Sequence, residues 1–145
     1  MGGAGFSGPV ILEAPSDPAV LSAVRALTDK ICLAAGVDPA ESDKLVLAVD
    51  EACTNVIRHG YCDRLDGRIK ISFTVEGDRL EIEIRDFGRG ADPATFRGRD
   101  LGEVRPGGLG MHFIRSAVDT MEYDWKPGGG MVLKMVKFIS KQEKA

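Results

Sequence analysis

Several short stretches of the chain are rich in β-forming residues, and the clearest alternate apolar and polar positions with a period of two. In one of these stretches, Ile69, Ile71 and Phe73 fall on a single face, which is typical of a strand with one buried side. The segment 76–78, Glu-Gly-Asp, then predicts a hairpin turn into the next strand. Strands are predicted at 9–14, 68–75, 80–85, 121–126 and 131–139.

Between these strands, apolar residues recur with the spacing of amphipathic helices. The first helix is predicted to begin with Ser16 as its N-cap and to stop at Gly36. A second helix is predicted to run from Pro39 to Gly60, because proline is favoured in a first helical turn. A third is predicted from about residue 109 to residue 121.

The order of these elements is β-α-α-β-β, then a long loop, then α-β-β, and it predicts an α+β fold. We expect two layers, a mostly antiparallel sheet and three helices on one of its faces. Residues 1–8 are predicted to form a loose leader and residues 9–145 a single domain. The loop at 87–107 is rich in Gly, Arg and Asp, and a loop of that length inside a compact domain is usually functional.

Composition narrows the class of partner. The formal net charge is −3, and no apolar run has the length of a bilayer span, so neither direct nucleic-acid binding nor membrane binding is expected. The three cysteines lack paired spacing. They fit free thiols in a reducing cytoplasm better than disulfides or metal ligands.

The most informative segment is 47–61, in the second predicted helix. Its residues Glu51, Asn55 and His59 lie four apart, so one stripe of the helix presents a carboxylate, an amide and an imidazole beside an apolar face. Such a stripe suits a site that holds a hydrated metal ion and moves a proton. Ordinary surface positions are the alternative for each residue. Asp50 is expected to face solvent, since consecutive helical residues point about 100° apart.

Two glycine-rich segments follow. At the end of a predicted strand, Asp86 can accept a hydrogen bond from an exocyclic amine, while Gly88 and Gly90 let the backbone lie against a flat ring. A turn with a capping aspartate is the alternative. The second segment, Gly107-Gly108-Leu109-Gly110, opens a helix whose unpaired N–H groups and positive dipole end suit an anion. Arg105 is placed to fold over phosphates, or else belongs to a solvated basic loop.

In this order and spacing, the three segments resemble the motifs of the ATP-binding domain of the GHKL superfamily, which includes gyrase, Hsp90, histidine kinases and MutL. Glu51-Ala-Cys-Thr-Asn55 resembles the N box, Asp86-Phe-Gly-Arg-Gly90 the first glycine box, and Gly108-Leu-Gly110 the second. The resemblance implies a Bergerat fold that binds ATP and Mg²⁺, with a lid at 91–107 that orders over the phosphates.

Within that superfamily, the short single-domain form and segment 47–61 are similar to the anti-sigma-factor serine/threonine kinases of bacterial partner switching. The resemblance implies a cytoplasmic homodimer that phosphorylates a STAS-domain anti-anti-sigma protein and otherwise sequesters a sigma factor. Members often carry Thr where this chain has Met131, so a hydroxyl that helps hold adenine is missing. Two alternatives stay open, a nucleotide-gated binding module without phosphotransfer and a stand-alone histidine-kinase-type catalytic domain.

The resemblance also implies roles for single residues. Asn55 is expected to bind Mg²⁺, Glu51 to act as general base, and Asp86 to select adenine over guanine. For His59, stabilisation of the helix C-terminus is an equal alternative. The further nucleotide contacts implied are Arg58, His59, Gly88, Gly90, Arg105, Gly108, Leu109 and Gly110.

Overall fold

The computed structural model describes residues 5–88 and 108–139, which form a five-stranded sheet covered by three helices. The strands are β1 (Val10–Pro15), β2 (Arg68–Glu76), β3 (Arg79–Asp86), β4 (Thr120–Trp125) and β5 (Met131–Phe138). The helices are α1 (Leu21–Ala35), α2 (Pro39–Asn55) and α3 (Gly108–Ala117). Their order along the chain and the α+β class agree with the predictions from sequence.

The sheet has the strand order β1-β2-β3-β5-β4, and each described pair of neighbours is antiparallel. In the register of β2 with β3, Ile71 lies opposite Ile84 and Phe73 opposite Ile82, and all four side chains are buried. Gly77 in the connecting turn has a φ of +62°, a conformation that glycine adopts without strain. The predicted hairpin and its buried face are therefore confirmed.

The helices cover one face of this sheet. α1 packs against α2, which packs against α3, and the interior includes fully buried Val24, Leu45, Val49 and Ile114. Burying one such side chain stabilises a fold by about 1.5–3 kcal/mol. The other face of the sheet is polar, and on it Glu81 forms ion pairs with Arg79 of its own strand and with Lys134 of β5. The one-sided helix layer thus follows from the alternation in the strands.

The start of the first helix differs from the prediction. Ser16 does not cap it. Asp17 caps a short 3₁₀ turn that precedes α1, since its carboxylate accepts a hydrogen bond from the Ala19 N–H at 2.9 Å, and α1 itself begins without a side-chain cap. The fully buried Ser16 hydroxyl instead donates to the Arg64 carbonyl (2.6 Å) and accepts from the Gly67 N–H (2.9 Å). The Ser16 hydroxyl is therefore bonded to a distant loop and not to the start of the helix. Gly36 ends α1 with a φ of +87°, as predicted.

The predicted end of the second helix at Gly60 is confirmed in position but not in helix type, and the predicted end of the third helix is wrong. α2 stops at Asn55, and the chain continues to Gly60 as a wider π-helical turn closed by the Tyr61 N–H on the Val56 carbonyl (3.0 Å). α3 ends at Ala117, because the following residues enter the sheet as β4. Within the predicted leader, Phe6 is half-buried and packs against the core.

Candidate active site

Asp86, the last residue of β3, is a buried carboxylate held by backbone donors. Its side chain is 4% exposed, and Oδ1 accepts the Gly88 N–H at 3.0 Å. The Met131 N–H also donates to it, so position 131 contributes through its backbone whichever side chain it carries. Burial raises the pKa of Asp86, and the two N–H donors and Arg85 oppose that rise. A carboxylate has about four acceptor positions, so two are left without a donor from the residues that the structure describes.

Glycines surround this carboxylate because other backbones approach it closely. A Cβ on Gly88 would lie under 3.0 Å from the Gly60 carbonyl oxygen, and one on Gly130 equally close to the Asp86 carbonyl oxygen. A Cβ on Gly60 would lie 3.3 Å from the Asp86 carboxylate. The end of β3, the π-helical turn and the β4–β5 turn therefore meet here. The result is a small cradle of backbone around one charged group.

Tyr61 joins two of these elements. Its ring is 4% exposed, and its hydroxyl accepts the Phe87 N–H at 2.7 Å and donates to the Arg68 carbonyl at 2.6 Å. The guanidinium groups of Arg68 and Arg85 lie 4.3 and 4.5 Å from the centre of the Phe87 ring. The turn that carries Asp86 is thus held on its backbone and on its side chains.

The N-box residues lie on α2 and the turn that follows it. Glu51 and Asn55 are half-buried, beside the buried Ala52. Arg58 is exposed and His59 half-buried, both in the π-helical turn. Because that turn is wider than an α-helical one, the four-residue spacing that aligns Glu51 with Asn55 does not extend unchanged to His59.

Asp50 was predicted to face solvent, and this prediction is wrong. Its carboxylate accepts a hydrogen bond from Arg25 of α1 at 2.9 Å, and its side chain is only 27% exposed. The Asp50 carbonyl also accepts the Thr54 hydroxyl at 2.9 Å. Asp50 therefore links the two helices one residue before Glu51.

The second glycine segment forms the first turn of α3, as predicted. Gly108, Leu109 and Gly110 belong to this helix, whose first N–H groups have no acceptor within it. Gly90, Arg105 and the proposed lid at 91–107 lie outside the described residues.

An open depression of about 860 Å³ lies next to the Asp86 turn. Phe87 and Gly88 form part of its wall, together with Tyr61 and the loop that follows it. Within residues 5–88 and 108–139, no three His, Cys, Asp or Glu side chains are grouped as they would be around a metal ion. A metal at Asn55 would therefore need ligand oxygens from phosphate and water, which suits Mg²⁺.

The three cysteines take no part in the hydrogen bonds described around Asp86. Cys32 and Cys53 are buried, and burial raises their pKa to about 11 and about 12. Cys62 is exposed. All three are free thiols, as predicted. In the part of the chain that the structure describes, no helix has the length and apolar character needed to cross a membrane.

Sequence reasoning missed three contributors to the cradle, Gly60, Tyr61 and Gly130. Gly60 and Tyr61 lie at the end of segment 47–61, and Gly130 lies in the Gly-Gly-Gly turn. Nothing local in the sequence connects them to Asp86, because the turn after α2 and the β4–β5 turn lie far from it along the chain.

Comparison with known proteins agrees with this geometry. Residues 14–137 match the family of histidine kinase-like ATPase domains. The serine-protein kinase RsbW of Halalkalibacterium halodurans is 30% identical over 140 residues, covering 91% of this chain and 84% of that protein.

Solved structures show the same fold. The RsbU and RsbW domains of Rv1364c from Mycobacterium tuberculosis superpose with a TM-score of 0.68 at 17% identity, covering 94% of this chain and 34% of that one. The SiaB-SiaC complex of Pseudomonas aeruginosa gives a TM-score of 0.64 at 12% identity, covering 88% of both chains. The chain therefore belongs to the histidine kinase-like ATPase family and, within it, to the serine-protein kinases of the RsbW group, as its three motifs predicted.

Proposed function

We propose that this chain is an ATP-dependent serine/threonine kinase and anti-sigma factor of bacterial partner switching. It phosphorylates a STAS-domain anti-anti-sigma protein, and it sequesters a sigma factor while that protein is unavailable. The observation that carries the proposal is the buried Asp86 carboxylate, which two backbone N–H groups hold while leaving acceptor positions open. This is a site for a ligand N–H, in a family of serine-protein kinases.

Asp86 selects the base. Its carboxylate accepts the exocyclic amine of adenine, whereas guanine would present a carbonyl oxygen and repel it. Gly88 and, in the same segment, Gly90 let the backbone lie against the ring. Loss of a hydrogen bond to a charged group costs about 1.5–3 kcal/mol, which is enough for clear discrimination between the two nucleotides.

The phosphates extend toward the amide and cationic groups. Asn55 would supply an amide oxygen to Mg²⁺, whose positive charge would offset the charge of the phosphates. Arg58 and His59 contact phosphate from the π-helical turn, and Arg105 from the loop. The N–H groups of Gly108, Leu109 and Gly110 receive phosphate oxygens at the positive end of α3.

Glu51 is the general base. It takes the proton of the incoming serine or threonine hydroxyl as that oxygen bonds to the γ-phosphorus and the bond to the β-phosphate oxygen breaks, releasing ADP. Its half-buried position on the same stripe as Asn55 suits a group that acts beside the metal. The kinase acts as a homodimer in the cytoplasm.

The first test is calorimetric titration with ATP, with and without Mg²⁺, and with GTP as control. Mg²⁺-dependent binding that is selective for ATP is expected. Transfer of labelled phosphate to a STAS-domain protein from the same organism is then measured. Binding without any transfer would leave a nucleotide-gated binding module instead.

Variants separate the two roles on α2. Asn55→Ala should lose Mg²⁺-dependent binding, because the amide oxygen is gone. Glu51→Gln should bind ATP normally and lose transfer. Asp43→Ala is the matched control, since Asp43 is an exposed acid on the same helix. Transfer by Glu51→Gln at the rate of Asp43→Ala would show that Glu51 is not the base.

A further inference from the structure

We infer that Tyr61 is a positioning residue whose hydroxyl sets the Asp86 carboxylate in place for the adenine amine. The inference rests on the proposed function, because it assigns to Tyr61 a part in the selection that Asp86 performs. The Tyr61 hydroxyl is already bonded to backbone groups at Arg68 and Phe87. Its effect passes through the backbone of the turn at 86–88.

The hydroxyl stands where a rung of the sheet would otherwise form. β2 and β3 pair up to Ile69 opposite Asp86, so the next pair in register is Arg68 opposite Phe87. There the Phe87 N–H donates to the Tyr61 oxygen at 2.7 Å, and the Tyr61 hydroxyl donates to the Arg68 carbonyl at 2.6 Å. A side-chain hydroxyl thus bridges the two strands at the point where their direct pairing stops.

This bridge fixes the peptide that follows Asp86. Gly88, one residue further, donates its N–H to Asp86 Oδ1 at 3.0 Å. The orientation of the Gly88 N–H depends on the course of the chain through Phe87, so the bond from Phe87 to Tyr61 helps orient the carboxylate. A partly buried N–H left without an acceptor is unfavourable, and the turn would shift to satisfy it.

The Tyr61 ring is held in place by close packing against its neighbours. A Cβ on Gly67 would lie 2.5 Å from ring carbons of Tyr61, so only glycine leaves room for the ring there. The buried Ser16 hydroxyl holds the Gly67 N–H and the Arg64 carbonyl in the same loop. The ring is 4% exposed, and the hydroxyl has its donor and acceptor on opposite strands.

The test compares two ligands on two variants. The ligands are ATP and purine riboside triphosphate, which lacks the 6-amino group and so cannot donate to Asp86. Tyr61→Phe removes only the hydroxyl, and Tyr123→Phe removes the same group from β4 as the matched control. Tyr61→Phe should weaken ATP binding roughly 3- to 10-fold and change binding of the analogue by less than about twofold. Tyr123→Phe should leave the ratio of the two affinities unchanged.

The selective loss separates positioning from a structural role. If Tyr61→Phe weakens both ligands equally, or neither, the inference is overturned while the adenine site stands. If the wild-type protein does not prefer ATP over the analogue, the role proposed for Asp86 fails and the inference fails with it. Should Tyr61→Phe not fold, hydrogen exchange in the wild-type protein decides, since the Phe87 amide must then be protected, and exchange at the rate of an exposed amide overturns the inference.

Discussion

Replacement of Gly130 by alanine should weaken both the fold and nucleotide binding, and the same replacement at Gly128 should weaken the fold alone. Both glycines lie in the β4–β5 turn with a φ of +92°. An alanine forced into such a backbone conformation loses about 1–2 kcal/mol at either position. The two sites differ in what the new methyl group meets.

At Gly128 a Cβ has nothing within 4 Å. At Gly130 it would lie under 3.0 Å from the Asp86 carbonyl oxygen, where ordinary contact begins at 3.4 Å, so backbone must move. Overpacking of this kind adds roughly 1–3 kcal/mol to the cost. We therefore expect Gly130→Ala to be destabilised by about 2–5 kcal/mol in total and Gly128→Ala by about 1–2 kcal/mol.

The displaced backbone carries Asp86, so the selection of adenine should fall as well. Loss of a hydrogen bond to a charged group corresponds to roughly 10- to 100-fold in affinity. Urea denaturation gives the stabilities, and calorimetric titration with ATP gives the affinities. Equal stability and equal ATP affinity in the two variants would refute the close approach of the β4–β5 turn to Asp86.

Three further predictions concern single groups. Burial raises the pKa of Asp86 above its ordinary 3.8, so the contribution of this group to stability is present below pH 3.8 and is lost as the pH rises through the folded-state pKa. For the same reason, the preference for ATP over purine riboside triphosphate should fade on acidification at a higher pH than an ordinary aspartate would give. A preference that stays constant down to about pH 4 would contradict this. Native protein should react with a thiol reagent at Cys62 only, with Cys32 and Cys53 reacting after denaturation, as peptide mapping will show; rapid labelling of either buried thiol would count against the packing described. Ser16→Ala should lower the free energy of unfolding by about 1–3 kcal/mol, since two backbone groups lose their partner, and an unchanged urea midpoint would show that water replaces the hydroxyl.

The sheet could be predicted because the alternation of apolar and polar residues within a strand is a local pattern. An antiparallel sheet with one covered face requires buried side chains at every second position, and β2 shows this at Ile69, Ile71 and Phe73. Gly36 and Pro39 were likewise sufficient to place the junction of α1 and α2, because a left-handed residue ends a helix and a proline suits its first turn.

The errors share one cause, which is competition from distant parts of the chain. Ser16 is a good cap by local rules, yet its hydroxyl binds backbone groups 48 and 51 residues away. Asp50 follows the geometry of its own helix but pairs with Arg25 on the neighbouring one. Pairing of β4 with β5 ends α3 earlier than its apolar spacing indicates.

The sequence by itself determined which residue types each segment carries, a carboxylate and an amide on α2 and a carboxylate with glycines at the end of β3, because spacing on a helix and position at a strand end follow from local geometry. Only the tertiary structure decided how Asp86 is held. Its two N–H donors, the close backbones at Gly60 and Gly130, and the Tyr61 bridge beside it come from three segments of the chain. Such contacts depend on how strands and turns meet in space, and no periodicity within one segment encodes that meeting.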